Sequence, residues 1–121
     1  MKLRSYKDLD VWKKGIEIVD FIYEVTNRFP KTEIYGLSSQ MQRSAVSIPS
    51  NVAEGFARQH KKEFVQFCYI ALGSCAELET QLIVANNRRY VPKEDTGRLA
   101  EYLDHESRML MNLIKSLNQK S

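Results

Sequence analysis

Few side chains in this sequence are suited to catalysis. The two histidines are His60, in a predicted loop, and His105, on the polar side of the last predicted helix. Neither shares a predicted helix face with a serine or cysteine nucleophile, so the pairing that would activate such a nucleophile is missing. Cys68 and Cys75 are seven residues apart on one predicted helix, which separates them by about 10 Å along its axis, beyond disulfide reach. We therefore expect no catalytic residue and two reduced core cysteines.

The sequence does not indicate a metal site either. A di-metal site in a helix bundle needs a glutamate three residues before a histidine on two of its helices. The nearest pattern is formed by Glu101, Asp104 and His105, and its spacing is wrong. The cysteines have no companions at zinc-binding spacing. We expect no metal and no cofactor.

Two acidic residues fall on apolar helix faces. Glu106 lies within the predicted core face of the last helix, and Glu79 lies near the boundary between two apolar stripes of the third. An unpaired carboxylate at such a position is costly. We favour a structural ion pair or a hydrogen-bonded glutamate over a functional acid, because structural networks perturb pKa values as readily as active sites do.

The apolar residues recur at intervals of three and four, which predicts helices and no strand. Four helices are expected, at about 9–29, 33–58, 61–88 and 93–117. Their connections are short, so the simplest fold is all-α, an antiparallel up-down-up-down four-helix bundle that forms a single domain over residues 1–121. Thr32 is a candidate cap for the second helix.

The second helix contains two residues that a regular helix disfavours. Pro49 removes a backbone donor and crowds the carbonyl of Ala45, so we expect a kink there. Gly55 stands at a well-periodic position, where glycine costs about 1 kcal/mol relative to alanine. Close approach by a neighbouring helix is the simplest reason for this glycine.

Three of the predicted helices carry more apolar surface than one bundle can cover. On the first helix two adjacent apolar stripes span roughly 200°, whereas a surface helix of a monomer needs about 100°. Soluble monomers rarely expose large apolar patches, so we expect a homo-oligomer. The interface candidates are a ridge of small residues on the second helix and a second stripe on the third: Val46, Pro49, Ala53, Ala57, Val65, Tyr69, Leu72, Ala76 and Ile83.

The composition is typical of a folded soluble domain. Hydrophobic residues make up 43% of the chain and charged residues 27%, a balance that argues against disorder. No apolar run approaches the ~18 residues of a membrane helix. The first residues turn polar at once, without the apolar segment of a secretory signal. We expect a cytoplasmic protein that does not contact a membrane.

Basic residues are predicted to gather at one end of the bundle. In the up-down-up-down order this end combines the start of the first helix, the second connection and the end of the fourth helix. The basic residues there are Lys2, Arg4, Lys7, Arg58, Lys61, Lys62, Lys115 and Lys120, against Asp8, Asp10, Glu54 and Glu63. This surplus of positive charge is compatible with a polyanionic partner, although an ordinary solvated surface is the competing interpretation.

The candidate nucleic-acid-binding residues are Arg43, Arg58, His60, Lys61, Lys62, Lys7 and Lys115. Arg43 and Arg58 share a polar stripe with two serines and are suited to holding phosphate. An ion pair between Glu54 and Arg58, one helical turn apart, accounts for Arg58 equally well.

Three segments carry a resemblance to a known family: Leu9-Asp-Val-Trp12, Arg43 to Arg58 with its S-I-P-S-N-V-A-E-G centre, and Gly73-Ser-Cys-Ala-Glu-Leu-Glu-Thr-Gln-Leu82. Over nearly its whole length the chain resembles the small four-helix-bundle proteins encoded within 23S ribosomal RNA intervening sequences. That family also includes the accessory variability determinant protein of diversity-generating retroelements. The resemblance implies a homopentamer that engages nucleic acid and a reverse transcriptase, without assigned catalytic residues. Relatives tend to have Gly-Tyr near the end of the third helix, where this chain has Arg88-Arg89-Tyr90.

Two classes of function remain open. The first is a non-catalytic, oligomeric scaffold that binds RNA or DNA through basic surface. The second is an adaptor that binds a protein partner, such as a reverse transcriptase or an RNA-processing protein, without touching nucleic acid directly. An enzyme is the least favoured class, because no constellation of side chains supports a reaction.

Overall fold

The computed structural model describes residues 4–119. Within that range the chain forms four α-helices, with a one-turn 3₁₀ helix before each of the first two. The bounds are Asp10–Thr26 for α1, Leu37–Ala57 for α2, Lys61–Asn87 for α3 and Lys93–Asn118 for α4, and the 3₁₀ helices span Tyr6–Asp8 and Lys31–Glu33. Residues 4–119 contain no strand, so the prediction of an all-helical fold is confirmed.

The helices form a closed set of contacts. Each packs against its neighbour in sequence, α4 returns to pack against α1, and α2 and α3 share the most extensive contact. This arrangement is consistent with a four-helix bundle. The short 3₁₀ helix at residues 6–8 packs against both α1 and α2.

One face of each helix builds the core, as the spacing of apolar residues predicts. The largest side chains that are fully buried include Ile18, Ile22, Met41, Ile48, Leu78, Leu99, Leu103 and Leu110. On α1 the stripe that contains Ile18 and Ile22 is buried, whereas Trp12 is half-buried and Tyr23 is 48% exposed. The core therefore uses only one of the two apolar stripes predicted for α1.

The start of α2 differs from its sequence prediction. The predicted cap, Thr32, lies in the 3₁₀ turn before the helix. The carboxylate of Glu33 takes the capping role, because its Oε1 accepts a hydrogen bond from the backbone N–H of Leu37 at 3.1 Å. Its Oε2 accepts another from the Tyr90 hydroxyl at 3.0 Å. A single carboxylate thus connects the start of α2 to the segment that follows α3.

Helices α1 and α2 approach each other closely where Gly15 faces Pro49. A Cβ atom on Gly15 would lie 3.2 Å from both Cβ and Cδ of Pro49 and 3.3 Å from Oε2 of Glu106. Pro49 is buried, and α2 continues through it. The prediction that Pro49 belongs to a subunit interface is therefore wrong, because this proline packs inside the bundle.

Gly55 allows a second close approach, between α2 and α3. A Cβ atom there would lie 2.7 Å from Cβ of Phe67 and 2.9 Å from Cδ1 of Phe64. Such distances are well inside van der Waals contact, so no larger residue fits without moving one of the two helices. The predicted reason for Gly55 is confirmed.

Both α2 and α3 end with a residue in the left-handed conformation. Gln59 has φ of 62° and Arg89 has φ of 63°. After α3, the backbone N–H of Tyr90 donates to the carbonyl of Ala85 at 3.0 Å, which is the hydrogen bond of a Schellman motif. Glycine is the usual residue at this position because any Cβ is strained there. The left-handed conformation of Arg89 is therefore a local strain.

Candidate nucleic-acid interface

The connection between α2 and α3 exposes three of the predicted binding residues. His60 is extended, with φ of −124° and ψ of 124°, and directly precedes α3. Lys61 and Lys62 occupy the first turn of that helix, and all three side chains are exposed. Free backbone N–H groups and the helix dipole already make a helix N-terminus favourable for anions. Lys61 and Lys62 add two positive charges at this helix N-terminus.

Arg58 is held by two carboxylates. Its Nη2 lies 2.9 Å from Oε2 of Glu54, and its Nη1 lies 3.4 Å from Oε1 of Glu63. The hydrogen bond that Arg58 donates to Glu54 raises the pKa of Arg58 above its ordinary value. The predicted pair between Glu54 and Arg58 is confirmed. Because two acids share its charge, Arg58 is a weaker phosphate ligand than the neighbouring lysines.

The N-terminal segment lies beside this connection. A cleft of about 330 Å³ is lined by Arg4, Gly55, Phe56, Gln59, His60, Lys61 and Phe64. Oδ2 of Asp8 accepts hydrogen bonds from the backbone N–H groups of Arg4 at 3.1 Å and Ser5 at 3.2 Å. These bonds fix the backbone that presents Arg4. Lys7, on the intervening turn, is exposed.

The last third of α4 adjoins the start of α1. A smaller cleft of about 230 Å³ is lined by Leu9, Asp10, Val11, Met109, Asn112 and Leu113. Lys115 follows two residues later and is exposed. Arg43 lies elsewhere, fifteen residues before Arg58 on α2, which places it about 22 Å away along the helix. The structure therefore brings Arg4, His60 and Lys61 to one cleft, and Arg43 lies apart from them.

The surplus of positive charge at this end of the bundle is smaller when only the described residues are counted than when the whole sequence is counted. Lys2 and Lys120 lie outside residues 4–119. The remaining six basic residues are Arg4, Lys7, Arg58, Lys61, Lys62 and Lys115, and four acids stand against them: Asp8, Asp10, Glu54 and Glu63. The surplus is thus two positive charges per chain.

The predicted interface residues differ in exposure. Val46, Tyr69 and Ile83 are 40%, 52% and 56% exposed, and Ala57 and Ala76 are exposed as well. Ala53, Val65 and Leu72 are half-buried. Two further apolar side chains on α3, Ile70 and Val84, are 51% and 41% exposed. The outer side of α3 is thus more apolar than the predicted stripe alone.

Helix α3 is long and apolar enough to cross a membrane when only length and composition are considered. The sequence analysis predicted this helix but, because it looked for an unbroken apolar run, did not identify it as a candidate membrane helix. Core helices of soluble proteins satisfy the same criterion, although only 33% of the apolar window of α3 is buried. No other helix within residues 4–119 meets it.

The structure separates the two acids predicted on apolar faces. Glu79 is exposed, so its predicted structural pairing is wrong: the core face of α3 runs through Leu78 and Leu82, and Glu79 is turned about 100° away from Leu78. Glu106 is completely buried, and neither of its carboxylate oxygens has a hydrogen-bond partner among the described residues. The predicted ion pair or hydrogen bond for Glu106 is therefore not present.

Burial is the main cause of the raised pKa values of three side chains, Glu106, Cys68 and Cys75. It raises the pKa of Glu106 to about 8, against a smaller opposing effect of Lys14. Burial likewise raises the pKa of Cys68 to about 12. For Cys75 burial is again the main cause of a pKa of about 12, and the nearby Glu106 raises it further. Both thiols are free and protonated, which makes them poor nucleophiles.

Residues 4–119 contain no group of three or more His, Cys, Asp or Glu side chains placed to hold a metal ion. His60 and His105 are both exposed. His105 lines a cleft of about 470 Å³ together with Lys14, Glu101, Tyr102, Asp104 and Arg108. Its charged walls are of mixed sign, and no serine or cysteine lines it.

A polar groove between α2 and α3 was missed in the sequence. It encloses about 330 Å³ and is lined by Gln40, Arg43, Ser44, Ser47, Glu77 and Gln81. Gln81 and Ser44 are buried polar residues. A signal for Gln81 was present, since it follows Ser74 by seven residues and lies between the core residues Leu78 and Ala85. The hydroxyls of Ser47 and Ser74 hydrogen-bond across the two helices at 2.8 Å.

Comparison with known proteins gives one family and one fold. The family model described as 23S rRNA-intervening sequence protein matches residues 7–112. A solved protein of unknown function from the S23 ribosomal protein family of Bacteroides thetaiotaomicron is similar in structure, with a TM-score of 0.80 and 24% sequence identity, over 87% of this chain and 98% of that chain. At this identity the likeness shows the fold alone. No curated protein matches the chain.

Proposed function

Since the chain belongs to the 23S rRNA-intervening sequence protein family, we propose that it is a non-catalytic, oligomeric scaffold that binds RNA through its basic cluster. We define the basic cluster as Arg4, Lys7, His60, Lys61, Lys62 and Lys115. The observation that carries the proposal is the pair of exposed lysines in the first turn of α3, beside Arg4. The relation to the accessory protein of diversity-generating retroelements stays a prediction.

The positive charge of the cluster attracts phosphate groups but does not distinguish one base from another. When Arg58 and the four nearby acids counted above are included, the surplus is only two positive charges per chain, so one copy would hold RNA weakly. In an oligomer that places several copies of the cluster on the same side, one RNA would contact several copies at once, and the weak contacts would combine into a higher overall affinity. The affinity is therefore expected to depend strongly on salt and only weakly on sequence at this cluster.

The self-association in this proposal uses the outer side of α3. We propose an antiparallel up-down-up-down bundle whose copies meet through Tyr69, Ile70 and Ile83, and a pentamer is what the family resemblance implies. These side chains are about half exposed in one chain, and their burial against a second copy removes apolar surface from water. Gly73 lies at the centre of this surface, where a Cβ atom would meet nothing within 4 Å, so it leaves room for close approach.

Light scattering tests the assembly. The parent protein at micromolar concentration should have the mass of an oligomer, and the double substitution Tyr69→Glu, Ile83→Glu should reduce it to that of a monomer. Both positions are exposed, so the fold should persist, as circular dichroism will show. Asn112→Glu combined with Ser116→Glu, which makes the same change in net charge at exposed positions of α4, is the matched control. A parent mass equal to one chain contradicts the proposed self-association.

RNA titration at low and moderate salt tests the binding. Lys61→Glu combined with Lys62→Glu should weaken binding of structured RNA and flatten the dependence of log affinity on log salt by about 0.7–0.9 per lost phosphate contact. The matched control is Lys31→Glu with Lys93→Glu, which makes the same change in net charge at exposed lysines. Arg58 is left intact because its loss would release Glu54 and Glu63.

The adaptor function is the second candidate, and the exposed apolar side chains of α3 are the observation that favours it. If the parent protein binds no RNA even at low salt, the RNA-scaffold proposal is wrong. The apolar surface of α3 would then be assigned to a protein partner, provided that light scattering shows it unoccupied by a second copy.

A further inference from the structure

The cleft beside the connection between α2 and α3 has an aromatic wall. It encloses about 330 Å³, and Phe56 of α2 and Phe64 of α3 both line it. Each of these two side chains is half-buried, so part of each ring remains open to a ligand. Small-molecule sites enclose ~300–1,000 Å³, and this cleft lies at the lower end of that range. It therefore has room for one flat ring system.

The two rings are held in place by the packing of α2 against α3. Their centroids lie 6.0 Å apart, and their planes are nearly perpendicular, at 87°. Cδ1 of Phe64 lies so close to Gly55 that a Cβ atom there would be only 2.9 Å away. The backbone N–H of Phe64 donates to the carbonyl of His60 at 2.9 Å. A ligand would therefore meet an aromatic surface that is already formed, which lowers the entropic cost of binding.

The charged side chains of the cleft are basic. Arg4 and Lys61 line it, and none of the described residues that line it is acidic. Neither Arg4 nor Lys61 forms an ion pair within residues 4–119. Glu63, two residues after Lys61, pairs with Arg58 instead. The cleft thus combines an aromatic wall with two positive charges that are available to an anionic ligand.

The aromatic wall lies within the basic cluster defined above. Arg4, His60 and Lys61 belong to the cluster and also line the cleft. A nucleic-acid strand is a polyanion that carries an aromatic base beside every phosphate, so it can contact cations and aromatic side chains together. A strand whose phosphates contact this cluster would therefore have its bases next to the two phenylalanine rings.

We propose that the cleft binds an unpaired nucleotide of RNA, with its base stacked on the phenylalanine rings and its phosphates against Arg4 and Lys61. Such stacking tolerates any sequence, because every base has a π-face. In an A-form duplex the bases are paired and stacked on one another, so they do not reach the cleft. The choice of RNA as the source of the nucleotide rests on the proposed function, which the cleft would direct to single-stranded segments.

Fluorescence anisotropy with a short, labelled single-stranded RNA that has no internal pairing tests the stacking. Phe64→Leu should weaken its binding by about tenfold, which corresponds to one lost base stack. The slope of log affinity against log salt should not change, because the phosphate contacts remain. Phe56→Leu should act in the same way, and it keeps the test decisive if Phe64→Leu disturbs the packing at Gly55. Circular dichroism will show that each variant is folded.

Two further variants serve as controls. Phe64→Tyr retains an aromatic face and should bind the single strand as the parent protein does. Phe67→Leu makes the same change on the same helix at a half-buried side chain that does not line the cleft, and it should also leave the affinity unchanged.

Two probes without accessible bases separate stacking from charge. Inorganic polyphosphate and a duplex of the same RNA with its complement offer only phosphates to the cleft. Phe64→Leu should leave the affinity for both probes unchanged, whereas Lys61→Glu with Lys62→Glu should weaken both. A loss for the single strand alone would therefore identify an unpaired base as the group that the rings contact.

Several results would overturn this inference. They are a single-strand affinity that both leucine variants in the cleft leave unchanged, an equal loss in the Phe67→Leu control, and an equal loss for polyphosphate. Tighter binding of a peptide of alternating glutamate and phenylalanine would assign the cleft to a protein partner instead. If RNA binding requires Lys61 and Lys62 but neither phenylalanine of the cleft, the proposed function stands and only the stacking site is wrong. A parent protein that binds no RNA even at low salt contradicts both.

Discussion

Replacement of Glu106 by glutamine should remove a pH dependence from the stability of the fold. Glu106 is completely buried with both oxygens unpartnered among the described residues, so the folded protein retains its proton more strongly than the unfolded chain does. Burial raises the pKa from 4.5 to about 8. Between these two pKa values Glu106 is ionised in the unfolded chain but neutral in the folded protein, so a rising pH favours the unfolded state. The stability is fully present below pH 4.5 and falls until about pH 8.

The size of the effect follows from the shift. Each pH unit inside the window costs about 1.4 kcal/mol, so at pH 7 the loss is roughly 3 kcal/mol relative to acidic solution. This is a large part of the 5–15 kcal/mol that stabilises a typical domain. Glutamine has the same shape and no titration in this range. The free energy of unfolding of the glutamine variant, relative to that of the parent protein, should therefore rise steadily between pH 5 and pH 8.

Urea unfolding at pH 5, 6, 7 and 8 measures this difference. The protein concentration must be the same throughout, because self-association would add to the apparent stability. The difference between variant and parent cancels the titration of other carboxyl groups. Glu101→Gln, an exposed change on the same helix, is the matched control and should run parallel to the parent protein. If the Glu106→Gln profile also runs parallel to it, the reasoning about the buried carboxyl is refuted.

Three further predictions concern packing, backbone strain and thiol reactivity. Gly55→Ala should lower the free energy of unfolding by about 1–3 kcal/mol through overpacking, whereas Gly97→Ala, where a Cβ meets nothing within 4 Å, should raise it by up to about 1 kcal/mol; equal melting temperatures would contradict this contrast. Arg89→Gly should stabilise the protein by about 1 kcal/mol because the left-handed φ no longer strains a side chain, and an unchanged thermal midpoint would show that the chain relaxes there. Cys68 and Cys75, with pKa values of about 12, should react with a thiol reagent only after denaturant is added.

The sequence predicted the helices well because one strong regularity governs them. Apolar residues at three-and-four spacing identify a core face without any knowledge of the partner helix, and Ile48 and Leu78 lie where that spacing requires. Gly55 was also interpretable, since a glycine inside a regular helix needs a reason. Boundaries were harder to predict: α2 begins at Leu37 because the side chain of Glu33 caps it, and nothing in the local pattern distinguishes that glutamate from Thr32.

Positions at the edge of a helix face were predicted less well. Glu79 and Gln81 both lie near the boundary of the core face of α3, and only Gln81 lies in the groove against α2, where it is buried, whereas Glu79 is exposed. Periodicity gives the direction of each side chain to within tens of degrees, which is too coarse for such positions. The polar groove could not be predicted, because it depends on how α2 packs against α3, and the sequence of neither helix alone specifies that packing.

The close approach at Gly15 links three positions that are far apart in the chain. Gly15, Pro49 and Glu106 come from three different helices, and a Cβ atom on Gly15 would lie within 3.3 Å of both of the others, so the residue that position 15 accepts depends on the other two. Substitutions there are expected to be non-additive. A shorter side chain at 106 would vacate the volume that a Cβ at 15 requires, and the two changes together should cost less than the sum of their separate effects. During divergence, this trio would therefore change by paired steps rather than one residue at a time.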